Sequence, residues 1–147
     1  ASLRCGGARP VDVALAGGFF YLPSVLDDCK PSMSVVRDES FGPVLTVETF
    51  GDEDEAVALA NESIYGLAGA VWTNSGGRAE RVAARLRMGT VWINDYHPYV
   101  PQAEWGGYKQ SGTGRELGVA GLDEYRETKH IWHNVSPRAQ RWFSGEQ

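Results

Sequence analysis

Between Val44 and Asn94 the chain alternates strand-like and helix-like stretches, and nothing else in it limits the fold as strongly. Val44-Leu-Thr-Val-Glu-Thr-Phe50 is a short run with β-branched residues, closed by Gly51, which predicts a strand. Asp52 then stands where a helix N-cap belongs, with a carboxylate at Glu55 and further negative charge in the first turn. Ala56, Val57, Leu59 and Ala60 supply the apolar face, and the helix is expected to stop before Gly66. Leu67-Ala-Gly-Ala-Val-Trp-Thr73 predicts a second strand, and Asn74-Ser-Gly-Gly77 a turn. From Arg78 a second helix carries Ala79, Val82, Ala83 and Leu86 at amphipathic spacing, with Gly89 placed as its stop. Thr90-Val-Trp-Ile-Asn94 predicts a third strand. Strands alternating with helices of this length imply right-handed crossovers. The expected class is α/β, a parallel sheet with helices on both faces.

Ligands of such sheets sit beyond the carboxyl ends of the strands, so the loop after Asn94 is the first place to look for chemistry. That loop is aromatic: Tyr96, His97, Tyr99 and Trp105 lie within eleven residues, together with Pro98 and Pro101. The glycine-rich stretch from Gly106 to Gly118 lacks the spacing of a phosphate-binding loop, and a structural turn is expected there. Tyr125 to Val135 alternates enough to predict a last strand, and Pro137 opens a tail.

Composition removes several functions. A net charge of -5 argues against a nucleic-acid surface, and Arg78, Arg81, Arg85 and Arg87 read as one solvated helix face. No apolar run approaches membrane length, and residues 1–7 contain no secretory apolar core. Cys5 and Cys29 are too few for a disulfide framework and point to a reducing, cytoplasmic setting. His97, His130 and His133 lack metal-ligand spacing, so no metal site is expected.

Glu39-Ser-Phe-Gly-Pro-Val44 leads into the first of these strands. Physically, Glu39 could accept hydrogen bonds from sugar hydroxyls and Phe41 could cover a flat ring; a surface Glu and a core Phe beside a turn would look the same. The run resembles the signature that aldehyde dehydrogenases set against the nicotinamide end of their cofactor. The remainder agrees in order: Asn61-Glu-Ser-Ile-Tyr-Gly-Leu-Ala-Gly-Ala-Val-Trp72, Gly89-Thr-Val-Trp-Ile-Asn94, Gly106-Gly-Tyr-Lys-Gln-Ser-Gly112 and Gly114-Arg-Glu-Leu-Gly118. The resemblance runs from about Leu3 to Asn134. It implies that residues 1–122 are the later half of a catalytic domain and that 123–136 carry an oligomerisation strand, with 137–147 as a tail. Through 125–135 the chain would form a homo-oligomer by strand addition. The cofactor implied is NAD or NADP, with Glu39 at the nicotinamide ribose and Phe41 near the nicotinamide.

The 95–107 segment resembles betaine aldehyde dehydrogenases more than aliphatic ones. A quaternary ammonium cannot donate a hydrogen bond, so aromatic faces recognise it. Trp105 is the leading candidate, with Tyr96, Tyr99 and His97 as further pocket residues; the same rings would also suit a phenyl aldehyde. The family's nucleophile lies in a Gly-Gln-x-Cys context and its base in a Glu-Leu-Gly-Gly context, and neither occurs here. No catalytic residue is therefore assigned in this chain. Two readings follow. The first is a part of an aldehyde-oxidising enzyme, inactive alone, which the start at Ala1 without Met favours. The second is a non-catalytic module that binds a dehydrogenase subunit or other partner through its last strand.

Overall fold

In the computed structural model, residues 1–138 are described. Their elements are β1 (Ser2–Cys5), a 3-10 turn at Val13–Leu15, β2 (Ser24–Asp27), α1 (Ser34–Arg37), β3 (Val44–Thr46) and α2 (Glu53–Glu62). Then come β4 (Tyr65–Gly66), β5 (Ala68–Val71), α3 (Gly76–Arg85), β6 (Thr90–Ile93), β7 (Tyr108–Lys109) and α4 (Gly118–Asp123).

The alternation is real, but its strands do not join one sheet. β5 and β6 pair in parallel from Ala68↔Thr90 to Val71↔Ile93, with α3 as the crossover the sequence predicts. β3 instead pairs in parallel with β2, and β2 is antiparallel to β1. β4 and β7 form a fourth, antiparallel pair. The expected single parallel sheet is therefore three small sheets, whose ladders are of mixed direction. The cause lies in the hydrogen bonds flanking β3: Ser24 N–H donates to Pro43 O, Val47 N–H to Leu26 O and Cys29 N–H to Val47 O, at 2.8 to 3.1 Å. These fasten β3 to β2 along its length, while β6 takes up β5. α3 packs on β5 and β6, and α2 lies against α3.

Asp52 caps α2 as expected, its side chain accepting from Glu55 N–H at 2.9 Å while Glu55 Oε2 accepts from Gly51 N–H at 2.6 Å. The second helix begins two residues before Arg78, because the Ser75 hydroxyl caps it. It ends at Arg85 without help from Gly89. Asn61 closes it from outside: its amide nitrogen donates to Arg85 O at 2.9 Å and its amide oxygen accepts from Arg87 N–H at 2.7 Å. The arginine face is also not simply solvated. Arg81 forms a two-pronged pair with Glu53 at 2.7 Å, and Arg85 reaches Asp54 at 2.7 Å. These exposed pairs clasp α3 to α2, and solvent screening keeps the contribution of each small.

Over Tyr125–Val135 no strand forms, which corrects the expectation of a strand there. A strand exists only through the ladder it joins, and this segment has no partner among the described residues. Ile131 and Trp132 are each 81% exposed. The predicted tail falls, for residues 139–147, outside the described residues.

Little of the apolar content is interior. Among the described residues only Ser24, Cys29, Val57, Ala79 and the glycines Gly66, Gly107 and Gly121 are buried, and no large side chain is fully enclosed. The accessible surface is 11991 Å². A folded monomer of this mass exposes roughly 7,400 Å². Large apolar side chains such as Phe19, Phe41, Tyr125 and Trp132 are among those left exposed.

Candidate functional site: an aromatic cluster beyond β6

At the carboxyl ends of β5 and β6, Asn94 holds the two strands together. Its amide oxygen accepts from Thr73 N–H at 2.8 Å and its amide nitrogen donates to Thr73 O at 2.9 Å. The chain turns there through left-handed backbone at Asn94 (φ 52°) and again at His97 (φ 69°). Non-glycine residues rarely adopt this region, and such strain gathers where a loop must take one particular path.

The turn brings the four predicted pocket rings together. Tyr99 meets Trp105 edge to face at 4.6 Å between centroids, and His97 meets Tyr99 in the same manner at 4.7 Å. Tyr96 lies 5.3 Å from His97. Tyr96 and Tyr99 stay exposed, while Trp105 is half-buried. A fifth ring, Trp92 on β6, lies within about 6 Å of three of these four.

Trp105 is fixed by its backbone, which exchanges two 2.7 Å hydrogen bonds with Glu116. Its neighbour Glu104 reaches α4: the carboxylate lies against Gly118 and faces the first amides of that helix. Its own backbone N–H and those of Ala120 and Val119 hold the Glu104 carboxyl below the ordinary carboxylate range. The glycine-rich stretch is the structural turn expected of it. β7 pairs with β4, and Ser111 Oγ accepts from Gly66 N–H at 3.0 Å. Arg115 donates to Gly107 O at 3.0 Å and lies over the Tyr108 ring.

Glu39 and Phe41 sit elsewhere, on the loop between α1 and β3 and hence beside a different ladder. Phe41 is 93% exposed, with its backbone in the left-handed region (φ 43°). Glu39 makes no hydrogen bond among the described residues. A bare ring and a free carboxylate two residues apart fit one wall of a nucleotide site, for a flat heterocycle and a ribose. A concavity of about 960 Å³ is lined by residues between Lys30 and Ile64, among them Glu48, whose Oε1 is buried without a partner among the described residues. It contains none of the predicted site residues, whereas the four candidate rings gather at the end of β6.

Residues 1–131 match the aldehyde dehydrogenase family. The chain belongs to that family. It is 60% identical over 144 residues to a betaine aldehyde dehydrogenase of Bacillus subtilis (strain 168), covering 98% of this chain and 29% of that protein. It is 48% identical over 143 residues to a peroxisomal aminoaldehyde dehydrogenase 2 of Malus domestica, covering 97% of this chain and 28% of that protein. A crystal structure of betaine aldehyde dehydrogenase from Staphylococcus aureus in complex with NAD+ superposes with a TM-score of 0.90 at 56% identity, over 97% of this chain and 28% of that one. The chain thus spans less than a third of the length of these aldehyde dehydrogenases.

Sequence reasoning missed two residues of this aldehyde dehydrogenase segment. Trp92 was hidden as an ordinary strand residue, although period-two alternation puts it on the same face as Asn94, where the loop departs. Glu104 carried no signal, because its partner amides come from α4, an element the sequence reading did not predict.

The lowered Glu104 pKa gives a pH prediction with a fixed sign. A carboxyl whose folded pKa is depressed contributes stability above its ordinary pKa, and loses it as pH falls through the lowered value. In the full-length protein, Glu104→Gln should lower the thermal midpoint near neutral pH. The gap from wild type should close as pH falls below the ordinary carboxylate range and through the lowered value. A gap that stays constant with pH would show that the carboxylate charge is not what anchors the loop.

Proposed function

We propose that this chain is part of an NAD(P)-dependent enzyme that oxidises betaine aldehyde, and that its aromatic cluster receives the trimethylammonium end of the substrate. The gathering of Trp105, Tyr99, Tyr96 and His97 at one strand end carries this reading, since ring faces attract a cation that has no proton to donate. Several closely similar relatives are named betaine aldehyde dehydrogenases. The Staphylococcus aureus enzyme has been crystallised with substitutions at a His, a Pro and a Tyr that are consecutive in its chain; His97-Pro98-Tyr99 is such a run here.

In this reading residues 1–122 form one wall of the catalytic domain. Glu39 accepts from ribose hydroxyls and Phe41 covers the nicotinamide face. In the complete enzyme a cysteine outside this chain would add to the aldehyde carbon to give a thiohemiacetal. NAD or NADP would supply the hydride acceptor that turns it into a thioester, and water would then release the acid. Cys5 and Cys29 do not serve: Cys29 is buried, with its thiol donating to Leu26 O at 3.4 Å, and Cys5 lies on β1 next to Pro23 O. The unpaired thiols fit a reducing compartment such as the cytoplasm. No helix among the described residues is long and apolar enough to cross a membrane.

A homo-oligomer through 125–135 belongs to the same proposal. What supports it is the exposure of Ile131 and Trp132 on a segment with main-chain groups free to join a neighbouring ladder. The same observation is what favours the second reading, a non-catalytic module docking on a dehydrogenase subunit.

The test is the absorbance of NAD(P)H formed with betaine aldehyde and with propanal, for the 147-residue chain and for the full-length protein that contains it. Activity is expected in the full-length protein only, with betaine aldehyde preferred. Turnover by the 147-residue chain would overturn the assignment of the nucleophile. Equal use of both aldehydes would overturn the assignment of the cluster.

A further inference from the structure

We propose that Trp92 is a positioning residue for the cationic end of the substrate: it sets the plane of Trp105 without touching the substrate itself. The proposal rests on the reading of the cluster above. Trp92 and Trp105 are nearly parallel, with centroids 5.9 Å apart and planes 28° apart. His97 is stacked on Trp92 in a similar way, at 6.0 Å and 24°, and Tyr96 meets it at 62° and 5.8 Å. The indole N–H donates to Pro98 O at 3.3 Å, which ties the middle of the loop to the same ring. Trp92 therefore touches three of the four pocket rings and the backbone of the loop that carries them.

The supports of the two indoles differ. Trp92 is on β6, held to β5 in register by the parallel ladder and covered by α3. Trp105 and the other rings are on a loop. An indole on a rigid strand that stacks on loop rings fixes their orientation, and orientation decides how a ring face meets a cation. Trp92 is half-buried and its surface is already engaged by its neighbours, so its effect passes through Trp105.

The experiment uses the full-length enzyme with Trp92→Leu and Trp92→Phe. Trp92→Leu should raise KM for betaine aldehyde about tenfold, the size of one weakened cation–ring contact, with kcat within about twofold. KM for propanal should stay within about twofold. Trp92→Phe keeps a flat ring but loses the N–H, and should fall between Trp92→Leu and wild type. A parallel rise for both aldehydes, or no rise for either, overturns the proposal. Far-ultraviolet circular dichroism supplies a readout that does not depend on substrate. Two stacked indoles give a coupled pair of bands, and Trp92→Phe and Trp105→Phe should each remove the same pair. If neither does, the stack does not exist and the proposal falls. If the bands are present but the wild-type enzyme does not prefer betaine aldehyde, the reading of the cluster fails instead, and the role of Trp92 toward a cation fails with it.

Discussion

Gly89→Ala in the full-length protein should lower stability by on the order of 3 kcal/mol, read as an earlier urea midpoint at unchanged slope. A Cβ at this position would be driven into the carbonyl oxygen of Gly106, and would lie 2.7 Å from the carbonyl carbon and 3.3 Å from Gly107 Cα. These are backbone atoms and cannot rotate aside. Gly89 is also pinned by its N–H, which donates to Gly66 O at 3.0 Å. Gly66 is itself crowded, since a Cβ there would come within 2.6 Å of Arg87 O. Three stretches of main chain thus meet where side chains are excluded. Because Gly106 follows Trp105, the displacement should also disturb the cluster and raise KM for betaine aldehyde in whatever protein still folds. A midpoint within experimental error of wild type would show that the loop can retreat freely, and that the close approach does not hold it.

Trp105→Ala should have the largest effect on substrate choice. Removing the ring is expected to raise KM for betaine aldehyde roughly tenfold to thirtyfold, the range for one desolvated cation–ring contact. Propanal has no cation to lose, and its KM should change by less than about threefold, with kcat nearly unaffected for both. Trp105→Phe should restore most of the difference, because a smaller ring still presents a face. The competing phenyl-aldehyde reading predicts another order: benzaldehyde, rather than betaine aldehyde, would lose most on Trp105→Ala. Steady-state kinetics with the three aldehydes separates the two.

What could be read from the sequence was local. The cap at Asp52, the β5–α3–β6 crossover and the aromatic loop beyond Asn94 all depend on residues close together in the chain, and periodicity and capping chemistry report such neighbours. The failures depend on distant partners. The sheet assignment failed because β3 has two possible edges, and only the hydrogen bonds from the β2 region decide which is used. Gly89 was read as a helix stop, although Asn61 closes that helix from α2 and the glycine serves a contact with Gly106. The arginines looked solvated because their carboxylate partners are on another helix. For the site, the four rings could be listed from the loop alone. Trp92 could not, since a strand residue becomes part of a pocket only through what stacks on it.

The near absence of enclosed side chains bears on how this region tolerates change. In most domains, mutational sensitivity follows burial within the domain, and surface positions vary freely. Here Phe19, Phe41, Tyr125 and Trp132 would be scored as permissive by their own surroundings, because each is at least 80% exposed in the chain by itself. If neighbouring parts of a longer polypeptide, or a second subunit, cover those faces, the same positions become interior. Their substitution would then be felt as lost assembly rather than as local unfolding. The pattern of tolerated residues in this segment should therefore be set at its borders with its neighbours, and sensitivity should be highest where the segment alone looks most open.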